Sequence, residues 1–292
     1  MKNLEYKKYW IWLSMIKGLG VKKKQFLLEK YKNPENIYQL KEKELSTIKG
    51  IGEKGIQNIL DKNVRKNIEN NLKFMLQHNI GIISINEEKY PQQLKEIYDP
   101  PISLYYKGNI DILKEKSIAV IGCRDASEYG KKAAKYFSYN LAKQKLNIVS
   151  GLAKGIDSYA HIGTICANKE EAGKAIAVLG NGLDQIYPKE NEILAKYILE
   201  TDGVILSEYP LGTKPEKMNF PARNRIVSGL SKGVLVVEAK EKSGTMITVD
   251  FALEQGRDVF VVPGNINSIY SVGTNQLIQQ GAKLVTNYTE IF

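Results

Sequence analysis

The chain has 292 residues, 43% of them hydrophobic and 25% charged, the proportions of a soluble globular protein with length for one large core and a smaller appended unit. Two cysteines, Cys123 and Cys166, exclude a disulfide framework and point to the reducing cytoplasm. The first apolar run, residues 9–16, is far shorter than the ~20 residues that span a bilayer, and its lysine-studded surroundings do not form a secretory leader. The net charge of +10 is unevenly held: residues 1–80 carry 17 Lys+Arg against 8 Asp+Glu, leaving 25 against 24 for the rest. That imbalance fits either a polyanionic partner for the amino-terminal part or lysine-rich solvated helices.

Residues 1–76 lack strand alternation and are expected to form a helical domain. They contain a repeat: Ile16-Lys17-Gly18-Leu19-Gly20 recurs 32 residues later as Ile48-Lys49-Gly50-Ile51-Gly52, and Lys22, Gln25 and Leu28 recur as Lys54, Gln57 and Leu60. Each unit ends one helix, turns on two glycines around an aliphatic residue and starts another helix. The pair resembles tandem helix-hairpin-helix (SAM-like) motifs, in which the exposed amides of the second helix hold DNA phosphates without reading sequence. The same pattern also serves as a tight connection between packed helices, and Glu53 after the second glycine pair opposes phosphate.

Residues 81–85 and 102–106, set among Pro91, Pro100 and Pro101, are expected to form edge strands. From Ser117 onward, short apolar runs at 118–121, 147–150, 175–179, 204–207, 234–238, 259–262 and 283–285 alternate with helical stretches. Such alternation reads as α/β: a Rossmann-like, doubly wound, mostly parallel sheet over residues 77–292. Ligands bind such sheets at the carboxyl ends of the strands, so the residues after each run are the candidates for function.

The first run leads into Gly122-Cys123-Arg124, where a glycine allows close backbone approach and an arginine beside a helix start grips phosphate. Cys123 is either a reactive thiol beside Arg124 or a small residue at a tight turn. The second run ends in Ser150-Gly151-Leu152-Ala153-Lys154-Gly155, a glycine-rich turn that lacks the ending of a nucleotide-hydrolysing P-loop. Asp157 and His161 share a helical face just beyond it, a spacing that fits a structural hydrogen bond better than a metal pair. Between the fourth and fifth runs lies Phe220-Pro221-Ala222-Arg223-Asn224-Arg225, with an aromatic to stack on a base and two arginines; either arginine has Glu208 or Glu238 as an alternative partner. After the fifth run, Ser243-Gly244-Thr245 forms a hydroxyl-and-amide cradle before a helix. No catalytic triad, metal cluster or placed acid–base pair is legible, so neither an enzyme nor a cofactor is expected.

Read together, Ala119-Val120-Ile121-Gly122-Cys123-Arg124, Val149-Ser150-Gly151-Leu152-Ala153-Lys154-Gly155-Ile156-Asp157, Ser207-Glu208-Tyr209-Pro210, Phe220-Pro221-Ala222-Arg223-Asn224-Arg225, Ser243-Gly244-Thr245 and Val262-Pro263-Gly264 resemble the motifs of the DNA-processing protein A (DprA/Smf) family over residues 117–286. The resemblance implies a homodimer that binds single-stranded DNA and helps load the RecA recombinase during natural transformation. It places Arg124 and Lys154 in a basic DNA pocket with Arg223 and Arg225 beside it, and the dimer surface on the helix expected from Met246 to Gly256. The chain departs from the family pattern at Cys123, where serine is usual, and no winged-helix domain is expected after residue 292. The alternative is a nucleotide-binding or phosphoribohydrolase-like enzyme using the same Rossmann pocket. That chemistry needs a glutamate soon after Gly-Thr, whereas Thr245 is followed by Met246-Ile247-Thr248-Val249-Asp250.

Overall fold

A computed structural model describes residues 2–167 and 171–292. The amino-terminal part folds into α1 (Lys2–Met15), α2 (Val21–Tyr31), α3 (Pro34–Gln39), α4 (Glu42–Ser46), α5 (Glu53–Leu60) and α6 (Lys62–Gln77). Both glycine repeats are helix-joining hairpins. Gly18 and Gly50 adopt φ of +68° and +88°, a region that costs a residue with a side chain about 1–2 kcal/mol. Gly20 and Gly52 are the N-caps of α2 and α5. The aliphatic residues of the repeats, Ile16, Leu19, Ile48 and Ile51, are buried and hold the hairpins together.

The remaining elements are β1 (Gly81–Ser84), α7 (Gln92–Lys95), β2 (Ser103–Gly108), β3 (Ser117–Gly122), α8 (Glu128–Lys143), β4 (Asn147–Ser150), α9 (Ile156–Cys166), β5 (Ala175–Leu179), α10 (Glu192–Glu200), β6 (Val204–Ser207), α11 (Asn219–Gly229), β7 (Gly233–Glu238), α12 (Gly244–Glu254), β8 (Asp258–Val261), α13 (Val272–Gln279) and β9 (Lys283–Leu284). Among the described residues they form one nine-stranded sheet in the order β1-β2-β6-β5-β4-β3-β7-β8-β9. From β6 to β9 all pairings are parallel, while β1–β2 and β2–β6 are antiparallel. Of the two strands expected at an edge, only β1 is one. β2 lies inside the sheet, pairing with β1 on one side and with Val204–Ser207 on the other. The prolines before it end at Pro101 and leave its amides free to bond.

Two apolar layers cover the parallel strands. Ala119, Ile121, Val149, Val178, Val234 and Val236 face the layer that includes Ile226 of α11, Val249 of α12 and Leu277 of α13. Ile118, Val120, Ile148, Leu235 and Val237 face α8 and α9 through Phe137, Leu141, Ile156 and Ala160. A third cluster runs from Trp10, Trp12, Leu27 and Ile59 of the helical part to Ala177 and Leu179 of β5 and Ile205 of β6. The helical part and the sheet therefore share one core.

Buried polar contacts reinforce that junction. Lys24 of α2 donates to the Ser14 carbonyl at 2.8 Å, the Ser14 and Tyr105 hydroxyls lie 2.6 Å apart, and Gln25 donates to the Pro100 carbonyl at 2.6 Å. Burial pushes the Lys24 ammonium down to about 8, partly offset by the charge of Glu208. Below pH 8 the lysine is charged in both folded and unfolded chains. Between there and its ordinary value near 10.5, the unfolded chain holds the proton that the folded chain has lost, so stability rises with pH. Measured as the difference in unfolding free energy between wild type and Lys24→Met, the gain should reach on the order of 3 kcal/mol across that window. Tyrosine ionisation affects both proteins alike and cancels. A flat difference would show that Lys24 is neutral or solvated in the folded chain.

Candidate nucleic-acid interface

Connections run outward from β3 in both directions, through β4 to β6 on one side and from β7 to β9 on the other. The β3/β7 boundary is thus the point where strand order reverses and where a crevice opens at the carboxyl ends. A cleft of about 730 Å³ lies there, bordered by Gly122, Arg124, Gly151, Phe220, Arg223 and Asn224 and by the start of α12.

One wall is aromatic and cationic. β3 ends at Gly122, packed against Ile156 and the Glu238 carbonyl, and the chain turns toward α8, whose N-cap Ser127 accepts from the Gly130 amide. The turn carries exposed Arg124, whose guanidinium carbon stands 5.1 Å from the centre of the Phe220 ring. Phe220 in turn lies 5.6 Å from Tyr187, with the two rings tilted by 33°. An arginine over a ring is held by the ring's quadrupole while keeping its donors free.

The floor is Arg223, which is 4% exposed. Its Nη1 donates to the carbonyls of Gly151 and Val178. Its Nε has no partner, and among the described residues no carboxylate lies within ion-pair distance of it. Arg223 packs directly over Gly151, where a Cβ would sit 2.5 Å from Nη2 and push the guanidinium aside. Burial lowers the guanidinium to about 10, against the opposing pull of Asp157. Burial likewise raises the Asp157 carboxyl, although its oxygen accepts from the amides of Gly151 at 3.0 Å and Ala153 at 3.4 Å. A buried cation with no anion in contact favours a negatively charged ligand.

The rim is the first turn of α12. Ser243 caps it, accepting from the Thr245 amide at 3.2 Å and donating to the Thr245 hydroxyl at 2.9 Å. Gly244 meets only a weak contact from Asn224 at 3.4 Å. Lys217, Lys240 and Lys242 add positive charge, with Lys240 held by Asp125 at 2.9 Å. The cleft is lined by five basic and two acidic side chains, a local excess that the near-neutral balance of residues 81–292 concealed.

Three residues expected at the site lie elsewhere. Ser150 is fully buried and donates to the Val120 carbonyl at 2.7 Å, a bond within the sheet. Lys154 does not line the cleft and pairs with Glu190 at 2.5 Å. Arg225 faces away from it, making two bonds of 2.7 Å to Glu208 and one ion pair of 3.1 Å to Asp99. Asp157 makes structural hydrogen bonds, accepting from backbone amides, whereas neither ring nitrogen of His161 has a partner. Burial holds that imidazole neutral, down to about 3. Cys123 is buried and its thiol is pushed up by burial, which favours the packing role over the reactive one. The sequence reading missed Tyr187, Lys217, Lys240 and Lys242. For the lysines the available signal was their proximity to Phe220 and to Ser243-Gly244-Thr245, and for Tyr187 its place after β5; all sit in loops with no periodicity.

Residues 81–292 match the family model described as DNA recombination-mediator protein A, and residues 13–62, which include both hairpins, match the SAM-like helix-hairpin-helix tandem. The chain belongs to the DNA recombination-mediator protein A family. It is 50% identical over 208 residues to DNA processing protein DprA of Streptococcus pneumoniae, covering 71% of this chain and 72% of that protein. It is 38% identical over 290 residues to protein Smf of Synechocystis, covering 97% and 71%. The X-ray structure of the S. pneumoniae protein superposes with a TM-score of 0.83 at 40% identity, covering 97% of this chain and 96% of that one. DNA processing protein A of Helicobacter pylori, solved in a study of its single-stranded DNA binding mode, superposes at 0.65 with 32% identity, covering 73% and 93%. Membership makes this protein a DNA-processing recombination mediator. Among the described residues no helix is long and apolar enough to cross a membrane.

Proposed function

We propose that the cleft between β3 and β7 binds single-stranded DNA, and that the protein presents this DNA to the RecA recombinase in the cytoplasm during natural transformation. The observation that carries the reading is Arg223, a buried guanidinium with no carboxylate in contact, set beneath the Arg124–Phe220–Tyr187 stack. Phosphates meet Arg124, Arg223, Lys217 and Lys242 and the amide of Gly244. A base lies on Phe220. A duplex keeps its bases stacked inside and cannot offer that contact. The contacts engage backbone and ring faces without reading base edges, so binding tolerates any sequence. The cleft is given no catalytic step. Fluorescence anisotropy with single-stranded and duplex oligonucleotides tests the DNA reading. Faster RecA nucleation on strands coated with single-strand-binding protein tests the loading.

The same reading makes the protein a homodimer through α12, whose side away from the cleft exposes Leu253 at 61%. The helix starts two residues before the expected Met246 because Ser243 caps it, and it ends ahead of Gly256. Leu253→Asp should convert a dimer to a monomer in sedimentation equilibrium. An unchanged mass would remove α12 from the interface.

A further inference from the structure

The cleft holds more cationic than anionic side chains. Lys240 is neutralised by Asp125, whereas Arg124, Lys217 and Lys242 have no carboxylate partner among the described residues, and Asp157 alone offsets Arg223. Three positive charges remain in excess. Arg223 is the recessed cation of the cleft, only 4% exposed, and Asp157 offsets its charge without an ion-pair contact.

An internal phosphodiester brings one negative charge and carries a sugar on both sides. To reach Arg223 it has to bury both sugars at a nearly closed floor. A terminal phosphomonoester hangs on a single ester bond, presents three free oxygens and carries a charge of about −1.5 to −2 at neutral pH. It reaches a recessed guanidinium without a second sugar, and the guanidinium fork suits its oxygens. A terminal monoester followed by one internal diester carries about three negative charges, which matches the excess.

We infer that the cleft seats the phosphorylated end of a single strand, with the terminal phosphomonoester on Arg223 and the neighbouring base on Phe220 and Tyr187. This rests on the single-strand reading above and specifies which part of the strand enters. The protein then engages a strand from its end before the rest of the chain follows across the surface.

The test uses the wild-type protein and internally labelled oligothymidylates of about ten nucleotides, within the usual span of single-strand sites. One carries a 5′-phosphate, one a 3′-phosphate, and one hydroxyls at both ends. One of the phosphorylated strands should bind about tenfold tighter than the hydroxyl-ended strand, as one added charge-assisted contact provides, and which one does so gives the polarity. Arg223→Gln, with folding checked by circular dichroism, should erase that preference, leaving all three strands weakly and equally bound. Equal affinity of wild type for all three strands overturns the end-seating inference and leaves single-strand binding standing. No binding of any strand overturns both.

Discussion

Phe220→Ala should weaken single-stranded DNA binding by about 1–3 kcal/mol, roughly 5- to 150-fold, because it removes the face on which a base stacks. The effect is concentrated at this residue because two other groups depend on it. Arg124 is positioned by its guanidinium lying over the ring, and Tyr187 packs at the ring's side. Phe220 also sits close to Gly180, where even a Cβ would come within 2.9 Å of the ring. The platform is therefore fixed before any ligand arrives, and little ordering cost is deferred to binding. Phe220 carries no charge, so the slope of log affinity against log salt should stay at the wild-type value. Arg124→Ala should lower that slope by about one unit, since one phosphate contact is lost. A Phe220→Ala protein with unchanged affinity would place the bases elsewhere. One with an altered slope would mean that the ring acts only by holding Arg124.

Glu208→Ala should cost about 3–5 kcal/mol of folding stability, read from the urea midpoint at constant m-value. Glu208 compensates two buried cations at once. It forms two bonds of 2.7 Å to Arg225, which is 3% exposed, and its charge also supports the buried ammonium of Lys24. Without it, Arg225 retains Asp99 at 3.1 Å together with the carbonyls of Asp99 and Ala222. The Asp99 side chain is 35% exposed and screened accordingly. Removing both partners of the pair should be milder than removing one: the double variant Glu208→Ala with Arg225→Met should recover much of the loss. A single-variant cost below about 1 kcal/mol, or a double variant no better than the single, would show that the pair is solvated and contributes little.

The contrast between Arg223 and Arg225 shows how far the sequence could be read. Both stand on α11 two positions apart, and residues at that spacing point about 200° apart around a helix. Only one of them could face the cleft, a constraint that the helical period contains but the motif alone does not. Which one faces it depends on Glu208, at the end of β6, meeting the far side of α11. That is a tertiary fact. The parallel strands were legible almost to the residue, because continuous β-branched runs buried on both faces have one reading. β4, β5 and β6 match their expected limits, and β7, β8 and β9 differ by single residues. β2 was misplaced because prolines beside a strand signal an edge whether or not they lie within the ladder. Ser150 was misassigned because an inward hydroxyl at a strand end looks the same in sequence as an outward one. Lys217, Lys240 and Lys242 gave little signal because they sit in the separate β6–α11 and β7–α12 loops, which converge only in the folded chain.

The most direct test of the cleft is fluorescence anisotropy of labelled single-stranded and duplex oligonucleotides, with wild type and Arg223→Gln side by side across a salt series. Wild type should prefer the single strand, with affinity falling linearly in log salt as cationic side chains displace counterions, and Arg223→Gln should lose most of that affinity while remaining folded. Equal binding of strand and duplex by wild type, or full affinity in folded Arg223→Gln, would contradict a single-strand site at the β3/β7 boundary.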